Sequence, residues 1–157
     1  GVELSGEEGR KGRALGPEQR EEARRWREKL QEWKGKFRAL REKLQELGEE
    51  GKALHEELAA KRETLRALRR QAVENGEREK LARLEPLKIE ARALVEATRE
   101  LREEMVSLWE ALRAAKENSE FEKAYEILGQ MVRVKSLIIA NLKALSHTFD
   151  KAIKILS

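Results

Sequence analysis

His55, His147 and a large population of glutamates are the residues whose types could carry acid–base or metal chemistry, because the 157-residue chain has no cysteine. Two histidines make a metal site only with further donors. The di-iron arrangement of helical bundles needs a Glu three residues before each His on facing helices. Here Lys52 precedes His55 and Ala144 precedes His147. No glutamate stands isolated on an apolar stripe, where burial would raise its pKa toward a catalytic range. No Gly-rich phosphate loop or nucleophile motif occurs. The residues therefore read as no enzyme, with no catalytic group, metal ligand or cofactor, and both histidines read as partly exposed helix residues.

The remaining chemistry is charge. With 34 basic and 30 acidic residues the net charge is +4, a mixed balance rather than the footprint of a dedicated polyanion binder. Two basic clusters stand out. Residues 20–43 contain Arg24, Arg25, Arg27, Lys34, Lys36 and Arg38; "KRETLRALRR", residues 61–70, contains Lys61, Arg62, Arg66, Arg69 and Arg70. These eleven are the candidate partner surface, able to meet acidic partners or phosphates. The competing reading is a solvated helix face.

What must position those side chains is helical. In "WREKLQEWKGKFRALREKLQEL", residues 26–47, apolar residues recur at alternating steps of four and three: Trp26, Leu30, Trp33, Phe37, Leu40, Leu44, Leu47. The same register continues through Gly51, Leu54, Leu58, Lys61, Leu65, Leu68 and Ala72. A period near 3.5 keeps one stripe facing a partner helix. A second series runs Leu84, Leu87, Ala91, Leu94, Thr98, Leu101, Met105, Leu108, Leu112, Ala115. Asn75-Gly76 between them reads as a stop and reversal, and Pro86 as a kink or restart. After "KENSEFEK", where Asn118 or Ser119 is expected to cap, a third segment carries two parallel stripes. Phe121, Tyr125, Leu128, Val132, Ile139, Leu142, Phe149, Ile153 and Leu156 form one; Ala124, Met131, Ile138, Leu145 and Ala152 form the other. So broad an apolar face must be covered from two sides. Its "MVRVKSLIIANLKAL" also suits a membrane surface, but the core is the better reading, since the other helices need something to pack on.

The expected architecture is all-α: an elongated antiparallel three-helix bundle or coiled coil, oligomeric, without strands. Residues 1–16, with five glycines and no apolar period, read as a flexible tail. Residues 17–157 read as a single helical domain with helices at about 17–74, 77–117 and 119–156. Seam positions of unusual type invite separate readings. Gly48 and Gly51 mark a candidate hinge in the first helix, with close approach of another helix as the alternative. Lys61 and Thr98 suit register-fixing roles, with a place near a frayed end, the lysine stem snorkelling to water, as the alternative. No run is apolar enough to span a membrane, and no signal peptide is visible. The chain begins Gly1-Val2 without Met, which allows for a leader removed upstream.

"LGPEQREEARRWREKLQE", residues 15–32, resembles the opening of Spy-like and CpxP-like periplasmic helical proteins, which carry a Leu-Thr-x-x-Gln motif. Leu15, Pro17, Glu18, Gln19 and Arg20 match, Gly16 stands at the Thr position, and no second copy of the motif occurs. The resemblance implies a curved helical dimer in the bacterial envelope whose basic, partly apolar face binds unfolded proteins or senses stress, without ATP. The functional expectation is thus a non-enzymatic, chaperone-like binding protein for protein clients, itself a homo-oligomer. The alternatives are a structural coiled-coil scaffold, or a binder of nucleic acid or acidic membrane surfaces. Residue patterns leave the compartment open; the resemblance alone favours the periplasm.

Overall fold

The computed structural model describes residues 16–157. The expected tail therefore lies, but for Gly16, outside the described residues. Four α-helices follow: α1 (Pro17–Glu74), the short α2 (Arg78–Arg83), α3 (Glu85–Glu117) and α4 (Phe121–Leu156). The chain is all-α, as its periodicity requires. By contact density it divides into two compact units, Gly1–Lys36 and Phe37–Ser157.

In the first unit, α1 opens as the sequence leads one to expect. Pro17 takes the first helical position, where its missing N–H costs nothing. The Gln19 side chain accepts a hydrogen bond from the Gly16 N–H at 3.0 Å, which is half of a capping box. Gly16 sits where a Ser or Thr hydroxyl would supply the other half.

The second unit is a helical bundle. Along α1 the buried and half-buried positions follow the seven-residue register step by step from Phe37 to Ala72. Leu58 is 1% exposed. Contact pairs fix the chain directions. Phe37 meets Tyr125 edge-on with ring centroids 5.9 Å apart, Glu50 pairs with Lys143 at 2.7 Å, and Lys61 pairs with Asp150 at 2.8 Å. So α1 and α4 run the same way. The end of α3, Leu112 and Ala115, clusters with Phe37, Leu40 and Leu44, whereas its start, with Leu84 and Leu87, clusters with Leu65, Leu68 and Ala72, so α3 runs against them. Three core clusters stack along this unit. One joins Leu112 and Ala115 to Ala124, Leu128 and Met131; one joins Leu47 and Leu58 to Ile138, Leu142 and Leu145; one joins Ala72 and Leu84 to Ala152 and Leu156. Every cluster draws on α4, which explains why α4 needed two apolar stripes. The "MVRVKSLIIANLKAL" segment supplies Met131, Val134, Ile138, Ile139, Leu142 and Leu145 to the core. Phe121 departs from the expected stripe and is exposed, while Ile127 and Val134, outside both stripes, are buried.

Both reversals are built alike. After α1, the Gly76 N–H donates to Val73 O (3.2 Å) and the Glu77 N–H to Ala72 O (2.9 Å), with Gly76 at φ 63°. After α3, the Ser119 N–H donates to Lys116 O (3.1 Å) and the Glu120 N–H to Ala115 O (2.8 Å), with Ser119 at φ 56°. Each is a Schellman termination with its left-handed residue just past the helix end. Asn118 and Ser119, expected to cap the third helix, instead finish the second long one. The residue preceding α4 is Glu120, whose side chain makes no capping bond. The restart expected at Pro86 falls at Leu84, which ends α2 and opens α3. Proline cannot donate to the carbonyl four residues back, so the helix breaks just ahead of it.

Gly51 is buried. A Cβ built on it would lie 3.2 Å from Ile139 Cδ1, so its missing side chain is what lets α4 come close. Gly48 has open space around its Cα, and α1 is helical through both glycines.

Candidate functional site

The candidate surface residues fall in two places. Arg24, Arg25, Arg27, Lys34 and Lys36 belong to the first unit. There Arg24 pairs with Glu21. Lys36 pairs with Glu32 at 3.4 Å and lies 5.0 Å from the Trp33 ring centroid. Arg38 and the 61–70 cluster belong to the second unit.

The structure gathers four of that cluster around one concavity. Arg62, Arg66, Arg69 and Arg70 stand with Leu65 and Val73 on the α1 side of a cleft of about 370 Å³. Leu84, Leu87, Lys88 and Ala91 form the opposite wall, and Thr148, Phe149 and Ala152 of α4 form the floor. A second cleft of about 300 Å³ adjoins it, sharing Arg62. Its walls are His55 and Leu58 on α1 and Val95, Thr98, Arg99 and Arg102 on α3, over Leu142 and Leu145. The two clefts follow one another between α1 and α3 as a groove lined from His55 to Val73, with Arg62 common to both and the Arg102–His55 hydrogen bond joining the walls across the second. That span is about 27 Å at the helical rise.

The groove has an apolar floor and a cationic rim. Arg62 lies 5.7 Å from the Phe149 ring centroid, a cation–π contact that holds the guanidinium over the floor. Arg66 and Arg99 are engaged by their own helix neighbours Glu63 and Glu96. Arg62, Arg69, Arg70 and Arg102 make no ion pair with a carboxylate among the described residues. Arg102 instead donates from Nη2 to His55 Nε2 at 2.9 Å, which requires a neutral imidazole protonated on Nδ1. Partial burial of the ring, then the Arg102, Lys135 and Arg62 cations, hold the His55 pKa below its ordinary value. Lys135 of α4 is likewise lowered, by burial first and by Arg102 second.

Lys61 belongs to a different place. Its ammonium donates to Ser146 Oγ at 2.7 Å and pairs with Asp150 at 2.8 Å and with Glu57 at 3.6 Å. The hydrogen bond to Asp150 is the main reason its pKa is raised. It ties α1 to α4 in the seam, as a register-fixing residue does. Thr98, its counterpart on α3, is buried and spends its hydroxyl on Leu94 O at 2.7 Å.

The α3 wall was missed from the sequence. Lys88, Val95, Arg102 and Trp109 recur every seven residues, a line beside the core stripe, and this spacing was the available signal. Val95 and Trp109 are about half exposed. His147 is exposed and takes no part in the groove. Among the described residues no group of three or more His, Cys, Asp or Glu is placed to hold a metal ion, and no helix is long and apolar enough to cross a membrane.

Comparisons with family models, with curated proteins and with solved structures return no match to this chain.

Proposed function

We propose that this chain is a non-enzymatic helical binding protein that holds a segment of a protein client in the α1–α3 groove. One observation carries the reading: an apolar floor is flanked by Arg62, Arg69, Arg70 and Arg102, four guanidiniums that make no ion pair with a carboxylate among the described residues. An apolar concavity with a few converging polar groups is the ordinary form of a binding site. Unpaired arginines around it add affinity for a partner that brings the missing charge. Nucleic acid and acidic membrane surfaces fit less well, because phosphates gain nothing from an apolar cleft lined by Leu65, Leu87, Phe149 and Ala152.

An ATP-independent, chaperone-like role in the bacterial envelope belongs to the same proposal and draws on the resemblance at residues 15–20. So does self-association of a coiled-coil kind, which the heptad spacing supports. Trp26, 63% exposed in the first unit, favours one alternative, a structural scaffold that uses this part of α1 to meet another helix. The experiment that separates these is suppression of aggregation of a chemically unfolded client at equal molar ratio, without ATP. Protection that falls when Val95→Glu places a carboxylate in the groove is the expected result. No protection at low salt overturns the client-binding reading and leaves the scaffold.

A further inference from the structure

We propose that the occupant of the α1–α3 groove is an acidic amphipathic α-helix of another protein, which lies along the groove and completes the bundle as a fourth helix. The inference rests on the binding reading above and adds the chemistry of the partner.

Three features of the groove converge on that occupant. The first is form. Two long helices with an apolar floor between them present the same kind of seat that each helix of the bundle already occupies. A span of about 27 Å takes five turns of helix. The second is spacing. On α1, His55, Arg62 and Arg69 recur every seven residues, as do Arg66 and Val73; on α3, so do Lys88, Val95 and Arg102. A helix laid between walls of that period meets them with its own a, d, e and g positions. The third is charge. Arg66, Lys88 and Arg99 pair with Glu63, Glu85 and Glu96 of their own helices. Arg62, Arg69 and Arg70 on α1 and Arg102 on α3 have no carboxylate partner among the described residues, and the core residues lie between. The complementary surface therefore has a central apolar stripe flanked by carboxylates, most of them toward α1. Opposite-charge pairing across e and g positions is how coiled coils choose partners.

Charge also argues against a second copy of this chain as the occupant. The chain carries +4, and residues 17–36, whose apolar stripe ends in Trp33, hold more basic than acidic side chains. Docking them in an arginine-walled groove would set like charges together. An extended polyanion would satisfy the rim but leave the floor in water. An acidic helix satisfies both.

The test uses the full chain and a synthetic helix of about five turns, with Leu and Ala on the apolar stripe and Glu on both flanks. Binding is read by fluorescence anisotropy of the labelled peptide. The expected result is saturable binding that weakens with salt, and that is lost on scrambling the peptide or on replacing its Glu by Lys. Arg69→Glu with Arg70→Glu, and separately Val95→Glu, should each weaken binding about tenfold or more. All three positions are exposed, and an unchanged circular dichroism melt confirms that the variants fold. Equal binding of the scrambled peptide overturns the inference, since charge alone would then suffice. Binding of heparin or of phosphatidylglycerol vesicles, weakened by the same variants while the peptide fails to bind, also overturns it. If unfolded clients are protected but the acidic helix neither binds nor competes with them, the helix inference falls and the binding reading stands. If neither clients nor peptide bind, both fall.

Discussion

Lys61 shows what one polar residue in a seam does. It occupies a position where Leu would be ordinary, and it reaches Ser146 and Asp150 across the interface. Its side chain is 21% exposed while that of Asp150 is 53% exposed, so the pair is partly solvated and its coupling is modest. A double-mutant cycle of Lys61→Ala and Asp150→Ala should return about 0.5–1 kcal/mol of coupling, measured by urea unfolding. The pKa of Lys61 is raised above its ordinary 10.5 on folding. The contribution is therefore complete below pH 10.5 and lost as the pH climbs through the raised value. His55 behaves oppositely. Its folded pKa lies below the ordinary 6.5, so the unfolded chain takes up a proton first, and stability falls as the pH drops below 6.5. Protonation also removes the acceptor that Arg102 uses. Arg62 on the same helix, Arg102 on α3 and Lys135 on α4 all face it, so no neighbour offsets the new charge. His55→Gln should flatten this acid-side slope in denaturation followed from pH 7 to pH 5, leaving stability at pH 8 nearly unchanged. The sequence singled out His55 and Arg62 but not Arg102 or Lys135, because these come from helices 47 and 80 residues further along the chain from His55.

At the scale of elements, the helices and their seams were almost wholly legible. A strict alternation of three and four steps identifies the buried side of α1 and α3 whatever lies against it, and even Gly51, Lys61 and Thr98 are covered where that spacing puts them. The caps were less legible. Asn118 and Ser119 are good residues for starting a helix, and nothing local reveals that backbone geometry uses them to stop one. Glycine is the ordinary residue at the left-handed position that Ser119 fills. Ser119→Gly should raise stability by about 0.5–1 kcal/mol, and Gly76→Ala should lower it by about 1 kcal/mol, both read from thermal melts. Gly48→Ala, in an exposed helix interior with nothing within reach of the new methyl, should stabilise by up to about 1 kcal/mol. The same variant examines the hinge reading. If bending at Gly48 serves client binding, stability rises while client protection declines.

At the scale of the whole molecule, the groove was the part the sequence withheld. An up-down-up arrangement of three helices can close with either hand, and both hands bury the same stripes. The period therefore does not say which charged flank of α1 faces which flank of α3, and the rim residues of α3 could not be assigned. The core that holds these walls apart is centred on α4. Leu58 and Met131 are essentially inaccessible, and Leu58→Ala or Met131→Ala should each cost about 2–5 kcal/mol in chemical denaturation. Loss of binding in such a variant would reflect the scaffold, whereas Val95→Glu should affect the groove alone.

The same-direction pairing of α1 with α4 has a consequence for how the chain comes together. α3 and α4 adjoin across a tight reversal and find each other by local search, whereas Lys61 must wait for Ser146, 85 residues later. Loop-closure entropy delays such distant pairings. On the ribosome, the leucine side of α1 emerges long before the surface that will cover it, and it meets whatever binds nascent chains first. Pulse-labelled hydrogen exchange should accordingly protect the amides of residues 105–140 ahead of those of residues 54–72.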